Sequence, residues 1–190
     1  MTGRFAVPRT VRRALAVAAA LAVAGASVGC RADAEARGGP RRWALTSFTA
    51  RDVAVEVSVE RDGAGKTWLA SRFTPTRPGY HLYGKDLPKD GIRGIGRPTL
   101  LEIVGAPAMQ PAGPLEADRA PGDLVVDILG LHFPVYPVGP VTLRRPVTFA
   151  RPGATTAELS VTYMACTEGT CLAPAIDKRF TVAIPDAATR

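Results

Sequence analysis

The chain has 190 residues, 46% hydrophobic, 22% charged and 6% aromatic, a composition that excludes a disordered tail protein and suits one domain with its own core, with or without an extension. The formal charge of +7 sits at one end: residues 1–42 hold Arg4, Arg9, Arg12, Arg13, Arg31, Arg37, Arg41 and Arg42 against Asp33 and Glu35, so the body after Arg42 is nearly neutral and offers no nucleic-acid footprint. The 19 glycines and 17 prolines favour many turns over long helices.

Arg4 to Arg13 form a basic start, and Ala14 to Val28 is an uncharged run of small apolar residues. As a helix that run reaches about 22 Å, short of a hydrocarbon core of about 30 Å, so it is expected to be the apolar region of an export signal rather than a membrane span. It ends Ala26-Ser27-Val28-Gly29-Cys30, small residues before a cysteine as in a bacterial lipoprotein signal, with Ser27 where leucine is usual. The expectation is a signal peptide over 1–29 and a lipid on Cys30, with ordinary cleavage nearby as the alternative. Arg12-Arg13 is a poor match to a twin-arginine signal. A charged tether containing Gly38-Gly39-Pro40 is placed at 30–46 and the domain at 47–186.

The rest reads as all β. Val53, Val55, Val57 and Val59 alternate with Ala54, Glu56, Ser58 and Glu60, a period of two with one face buried. Asp62-Gly63 follows as a turn. Further strands are expected at 67–73, 80–83, 99–104, 124–129, 141–149, 158–165 and 179–184, with proline or glycine in nearly every gap. Short strands at such intervals, with no helical period after Arg42, point to a β-sandwich of immunoglobulin type. The glycine-rich run Gly91 to Gly96 lacks the spacing and the following helix of a dinucleotide loop and is expected to be a flexible loop. No nucleophile elbow is present, and the histidines are His81 and His132.

With Cys30 assigned to lipid, Cys166 and Cys171 remain, separated by Thr-Glu-Gly-Thr. An exported chain meets conditions in which they can join. Such a bridge closes a short loop and removes only about 2 kcal/mol of unfolded-state entropy, and it cannot link distant strands as an immunoglobulin staple does. Leu159, Val161 and Tyr163 share the apolar face of their strand, so Cys166, of opposite parity, is expected at the surface. Gly169 permits a strained, reducible geometry. These points favour a working redox pair. An inert hairpin clip on a lipid-anchored β-sandwich binding module stays open, and so does a soft-metal chaperone, with either Cu(I) on Cys166, Cys171 and Met164 or zinc on the cysteines with His81 and His132. No lysine, arginine or histidine neighbours the pair in sequence, so no lowered thiol pKa is signalled.

The stretch from Leu159 through Tyr163, Cys166 and Cys171 to Pro174 resembles the active-site hairpin of the periplasmic N-terminal domain of the thiol:disulfide interchange protein DsbD. Pro78-Gly79-Tyr80-His81-Leu82-Tyr83 is similar to that family's Gly-Tyr-x-Leu-Tyr strand, and Phe133 to Tyr136 with Pro146 to Phe149 is similar to its cap-loop region and the strand after it. The resemblance implies an immunoglobulin-like sandwich, no cofactor, and a Cys166/Cys171 pair cycling between dithiol and disulfide. Electrons would arrive from a membrane-embedded donor and pass to periplasmic thioredoxin-like or disulfide-containing proteins, a route tied to cytochrome c biogenesis. Cys171 would attack the partner and Cys166 resolve the mixed disulfide. Phe133 would be the cap aromatic, with His132 beside it and Tyr80 and Tyr83 lining the site; the alternative for Phe133 is an ordinary core residue. The chain departs from the best-known member in carrying four residues rather than five between its cysteines, and in having Gly130 and Leu131 where that member places acidic residues. The chain is also expected to act without the transmembrane and thioredoxin-like domains of the full protein.

Overall fold

The computed structural model describes residues 39–190. The expected export signal, Cys30 and the first part of the expected tether lie outside the described residues. In chain order the strands are β1 (Arg41–Ala50), β2 (Val53–Arg61), β3 (Thr67–Pro75), β4 (His81–Leu82), β5 (Leu100–Gly105), β6 (Met109–Pro111), β7 (Glu116–Ala117), β8 (Gly122–Val126), β9 (Leu131–Val135), β10 (Val141–Phe149), β11 (Thr155–Tyr163), β12 (Ala165–Cys166) and β13 (Ala175–Ile184). A 3-10 turn, Asp127–Leu129, joins β8 to β9, and a last helical turn, α1, covers Asp186–Thr189. Among the described residues no helix is long and apolar enough to cross a membrane.

Two antiparallel sheets face each other. One runs β1-β2-β3-β10-β6, with β7 also on β10; the other runs β13-β11-β5. Their inner faces make one core: Val53, Val55, Val57 and Val59 of β2, Leu69 and Phe73 of β3, and Val141 and Leu143 of β10 meet Leu159, Val161 and Tyr163 of β11 with Leu101, Val182 and Ile184. The valine alternation in β2 therefore does what a period of two dictates. This is an immunoglobulin-like β-sandwich.

Strand β1 begins at Arg41, inside the segment assigned to the tether. It pairs with β2 from Arg41↔Arg61 to Ala50↔Val53. Its apolar residues Trp43, Leu45 and Phe48 pack on the core, and the Phe48 ring meets Phe180 of β13 edge-on at 5.2 Å. A bulge between Ala44 and Thr46 shifts the register, so these residues break the period of two. The β1–β2 turn uses Arg51 and Asp52, both at positive φ (52° and 56°), the pair of left-handed residues that a two-residue hairpin turn requires. At the other end Ala188 of α1 is fully buried against the core, so the domain runs past residue 186.

Tyr163 ends β11 inside the sandwich. Its ring packs edge-on against Phe73 at 5.6 Å and its hydroxyl donates to the Ala50 carbonyl oxygen at 2.9 Å. Burial pushes the phenol up to about 12 from 10.0. Between those pH values the unfolded chain has lost a proton that the folded chain keeps, so stability falls as pH rises through the window. Tyr163→Phe is expected to be about 1 kcal/mol less stable than the parent at pH 7, and that gap should close by about pH 11 and reverse above it. Urea titrations of both proteins check it; a gap that is constant with pH would show that Tyr163 ionises equally well folded and unfolded.

Candidate functional site

Beyond the end of β11, Met164 interrupts the strand and the chain re-enters extended structure as β12. Ala165 joins the main core, while Cys166 turns the other way into a second, separate cluster with Tyr83, Leu87, Leu131 and Phe133. Parity thus aims Cys166 away from the sandwich core, as expected, but the expected surface position is wrong: Cys166 is 1% exposed. The reason is tertiary. The hairpin β8–β9 folds over the sandwich end and covers it.

The cysteines flank a tight reversal. Cys166 and Cys171 bridge as antiparallel partners, Leu172 N–H donates to the Ala165 carbonyl (2.9 Å), and Thr167 N–H donates to the Thr170 carbonyl (2.8 Å). The Thr167 hydroxyl oxygen also accepts from the backbone N–H groups of Gly169 and Thr170, at 3.3 and 3.1 Å. Cys166 and Cys171 are joined as a disulfide, and Cys171, unlike Cys166, is exposed. Gly169 is not at positive φ, and the Thr167 hydroxyl shapes the turn.

These hydrogen bonds hold the two cysteines together without the covalent bond. Reduction is therefore expected to lower stability by about 2 kcal/mol or less, the entropy of so short a loop. Denaturant melts of oxidised and reduced protein measure it. Cooperative unfolding on mild reduction would mark the bridge as a structural staple.

The cap is built from the chain upward. In β9, Leu131 and Phe133 point inward, and His132 points outward by strand parity. Phe133 is 1% exposed, and its ring meets Tyr83 edge-on at 5.7 Å. One edge of β9 pairs with β8. Its other side is stitched to the segment after β4: Gly84 N–H donates to the Pro134 carbonyl (2.7 Å) and Tyr136 N–H to the Leu82 carbonyl (2.8 Å). β4 in turn pairs with β12, Cys166 opposite His81. One narrow ribbon therefore runs from the cap through β4 to the cysteines.

The sequence-predicted site residues separate. Phe133 and Tyr83 meet Cys166's cluster. His132 does not line it: its Nδ1 sits 2.7 Å from Asp123 Oδ2 on the outer face of the cap. Tyr80 packs against the main core instead, because residues three apart in an extended chain face opposite sides. The fold sets His81 opposite Cys166 but leaves His132 on the outer face of the cap, and among the described residues no group of three or more His, Cys, Asp or Glu side chains is placed to hold a metal ion.

Leu87, Leu131 and Asp123 were not singled out from sequence. Only the alternation of Leu131 with Phe133 carried a signal for any of them. The glycine-rich loop, expected to be flexible, is packed: Gly96, at φ 80°, is buried with its Cα against the Tyr83 ring, where a Cβ would come within 3.0 Å of the ring. Arg97 ties the same loop down by donating to the carbonyls of Asp90 and Gly94, both at 3.0 Å. The loop thereby fixes the floor on which Tyr83 supports the cap.

The two cysteines are held face to face at the sandwich's end, Cys171 exposed and Cys166 under the β8–β9 hairpin in a cluster separate from the main core. No protein-family model and no curated protein matches the sequence. Among solved structures, the chain is similar to the N-terminal domain of Neisseria meningitidis DsbD in its reduced form, at 15% identity and a TM-score of 0.41, over 75% of this chain and 85% of that one. It is also similar to the N-terminal periplasmic domain of ScsB from Proteus mirabilis, at 12% identity and a TM-score of 0.46, over 77% of this chain and 53% of that one.

Proposed function

We propose that this domain is a thiol–disulfide carrier of the bacterial envelope, passing reducing equivalents through Cys166 and Cys171. The observation that carries the reading is the asymmetry of the pair: Cys171 is exposed to a partner while Cys166 is 1% exposed beneath the cap. A staple has no need of such a cover, and a loop of this length is a poor staple. An exchanging pair needs both an accessible sulfur and protection from adventitious thiols. The motif resemblance around Tyr163, Cys166, Cys171 and Pro174 points the same way. The donor is then a membrane-embedded dithiol protein and the acceptors are thioredoxin-like or disulfide-containing envelope proteins. Trapping tests this: in cells, Cys166→Ala leaves Cys171 to form mixed disulfides that cannot be resolved. Recovery of specific linked proteins supports the carrier. Their absence, with a reduction potential below about −300 mV for the pair, makes the bridge structural.

Attachment to the membrane through a lipid on Cys30 belongs to the same reading and rests on the sequence of residues 14–30. Cys30→Ala is expected to move the protein from the membrane to the soluble envelope fraction, because acyl chains supply the anchoring energy. Fractionation and the mass of the mature N-terminus check it; a wild type that is already soluble and starts at another residue removes the anchor.

A further inference from the structure

The register of β4 against β12 sets His81 directly opposite Cys166, and Cys166 lies in turn opposite Cys171. Partners facing each other across an antiparallel pair project to the same side, with Cβ atoms about 5 Å apart. His81, Cys166 and Cys171 thus form one row across three adjacent backbone segments. His81 is buried, and its Nε2 has no hydrogen-bond partner. Nature seldom leaves a buried imidazole nitrogen unused. In the disulfide form the sulfur beside it has no proton to offer; in the dithiol form it does.

We propose that His81 is the proton acceptor for Cys166 in the step that closes the disulfide. This rests on the redox reading above and assigns the chemistry of its second half. First, the exposed Cys171 thiolate attacks a partner disulfide; a mixed disulfide forms and one partner sulfur leaves as thiolate. Next, the Cys166 thiol gives its proton to His81 Nε2 and its sulfur attacks Cys171 Sγ. The Cys166–Cys171 bond forms, the bond from Cys171 to the partner breaks, and its electron pair leaves on the partner's second sulfur. The imidazolium then returns its proton to that thiolate or to water. The dithiol has been oxidised and the partner disulfide reduced, two electrons for two electrons.

Cys166 needs such a base. Its surroundings are Tyr83, Leu87, Leu131 and Phe133, and apolar burial disfavours a thiolate. The ionisable groups around His81 are Glu168 in the Thr167–Thr170 turn, Tyr80 and Tyr83 of its own segment, and the two cysteines. Burial pulls the imidazole below 6.5, with the Glu168 charge opposing that in part. The ring is therefore neutral at pH 7, with a nitrogen ready to accept.

The test uses dithiol protein carrying Cys30→Ala, so that only the pair reports, mixed with dithiobis(nitrobenzoate). Each molecule releases one coloured thiolate when Cys171 attacks and a second when Cys166 resolves. With His81→Gln, the ratio of the second rate to the first is expected to fall about a hundredfold, the lower end of what a positioned base contributes. In the parent, the second rate should rise with pH through a midpoint below 6.5 and then level. In His81→Gln it should climb only at or above the ordinary thiol range, about pH 8.5. A folded His81→Gln protein with the parent's ratio and pH profile overturns the assignment. If that variant does not fold, the parent's profile decides alone: a second phase with no step below pH 6.5 overturns it as well. A parent that releases no thiolate, or only one, breaks the redox reading itself, whatever stands at position 81.

Discussion

Phe133→Ala is expected to speed reduction of the Cys166–Cys171 bond by a small thiol about thirtyfold, while the sandwich stays folded. The ring belongs to the cluster of Tyr83, Leu87, Leu131 and Cys166, which is separate from the main core. A Phe→Ala change in a well-packed site costs about 3–5 kcal/mol. Here the loss falls on a two-stranded hairpin that can loosen without opening the sheets, so it is expected mainly as local opening. About 2 kcal/mol of that opening energy converts to the thirtyfold rate. The hairpin exposes Ile128 at its tip, 93% accessible, and is anchored inward by Phe133 together with Leu131. Melting temperature and reduction rate are measured on the same variant. A full core-sized loss of stability with no gain in reduction rate would return Phe133 to the ordinary core and remove the cap.

A chain starting at Ser47 is expected to be about 3 kcal/mol or more less stable than one starting at Gly39, which lowers its melting point by about 10 °C. The shorter chain loses Trp43 and Leu45 from the core margin and the ladder from Arg41↔Arg61 through Thr46↔Val57. Burial of a large apolar side chain contributes about 1.5–3 kcal/mol and each ladder bond about 0.5–1.5 kcal/mol net, less the entropy the freed residues regain. The cut also bares the edge of β2, whose free N–H and C=O groups invite pairing between chains. Equal melting points for the two chains would mean that the first half of β1 contributes nothing.

Both experiments turn on places where neighbours in space, not in sequence, set the outcome. The β class, the sandwich, the valine face of β2 and the strands around residues 67–73, 141–149 and 158–165 follow from periods of two and from glycine and proline between them. Those signals are local, because each strand carries its own buried face. The start of β1 was hidden by a bulge that breaks its alternation and by a turn made of Arg51 and Asp52, residues that carry no strong turn preference as a pair. Tyr80 was expected in the site from the resemblance of its Gly-Tyr-x-Leu-Tyr strand, and His132 because it adjoins Phe133, yet strand parity turns each to the other side.

The cysteine pair itself was legible, since its short spacing limits what a disulfide can do. So was the direction of Cys166 relative to the sandwich. Its burial was not, because parity says which face a side chain leaves by and says nothing about what a distant hairpin lays over that face. The same holds for His81, which is 85 positions away from Cys166 in the chain and becomes its direct neighbour only through the β4–β12 register. Local pattern determined the sheets and the short spacing of the pair. Only the folding of one sheet end under a cap, driven by burying Leu131 and Phe133 against Tyr83 and the loop at Gly96, decided which sulfur is covered and which base lies beside it.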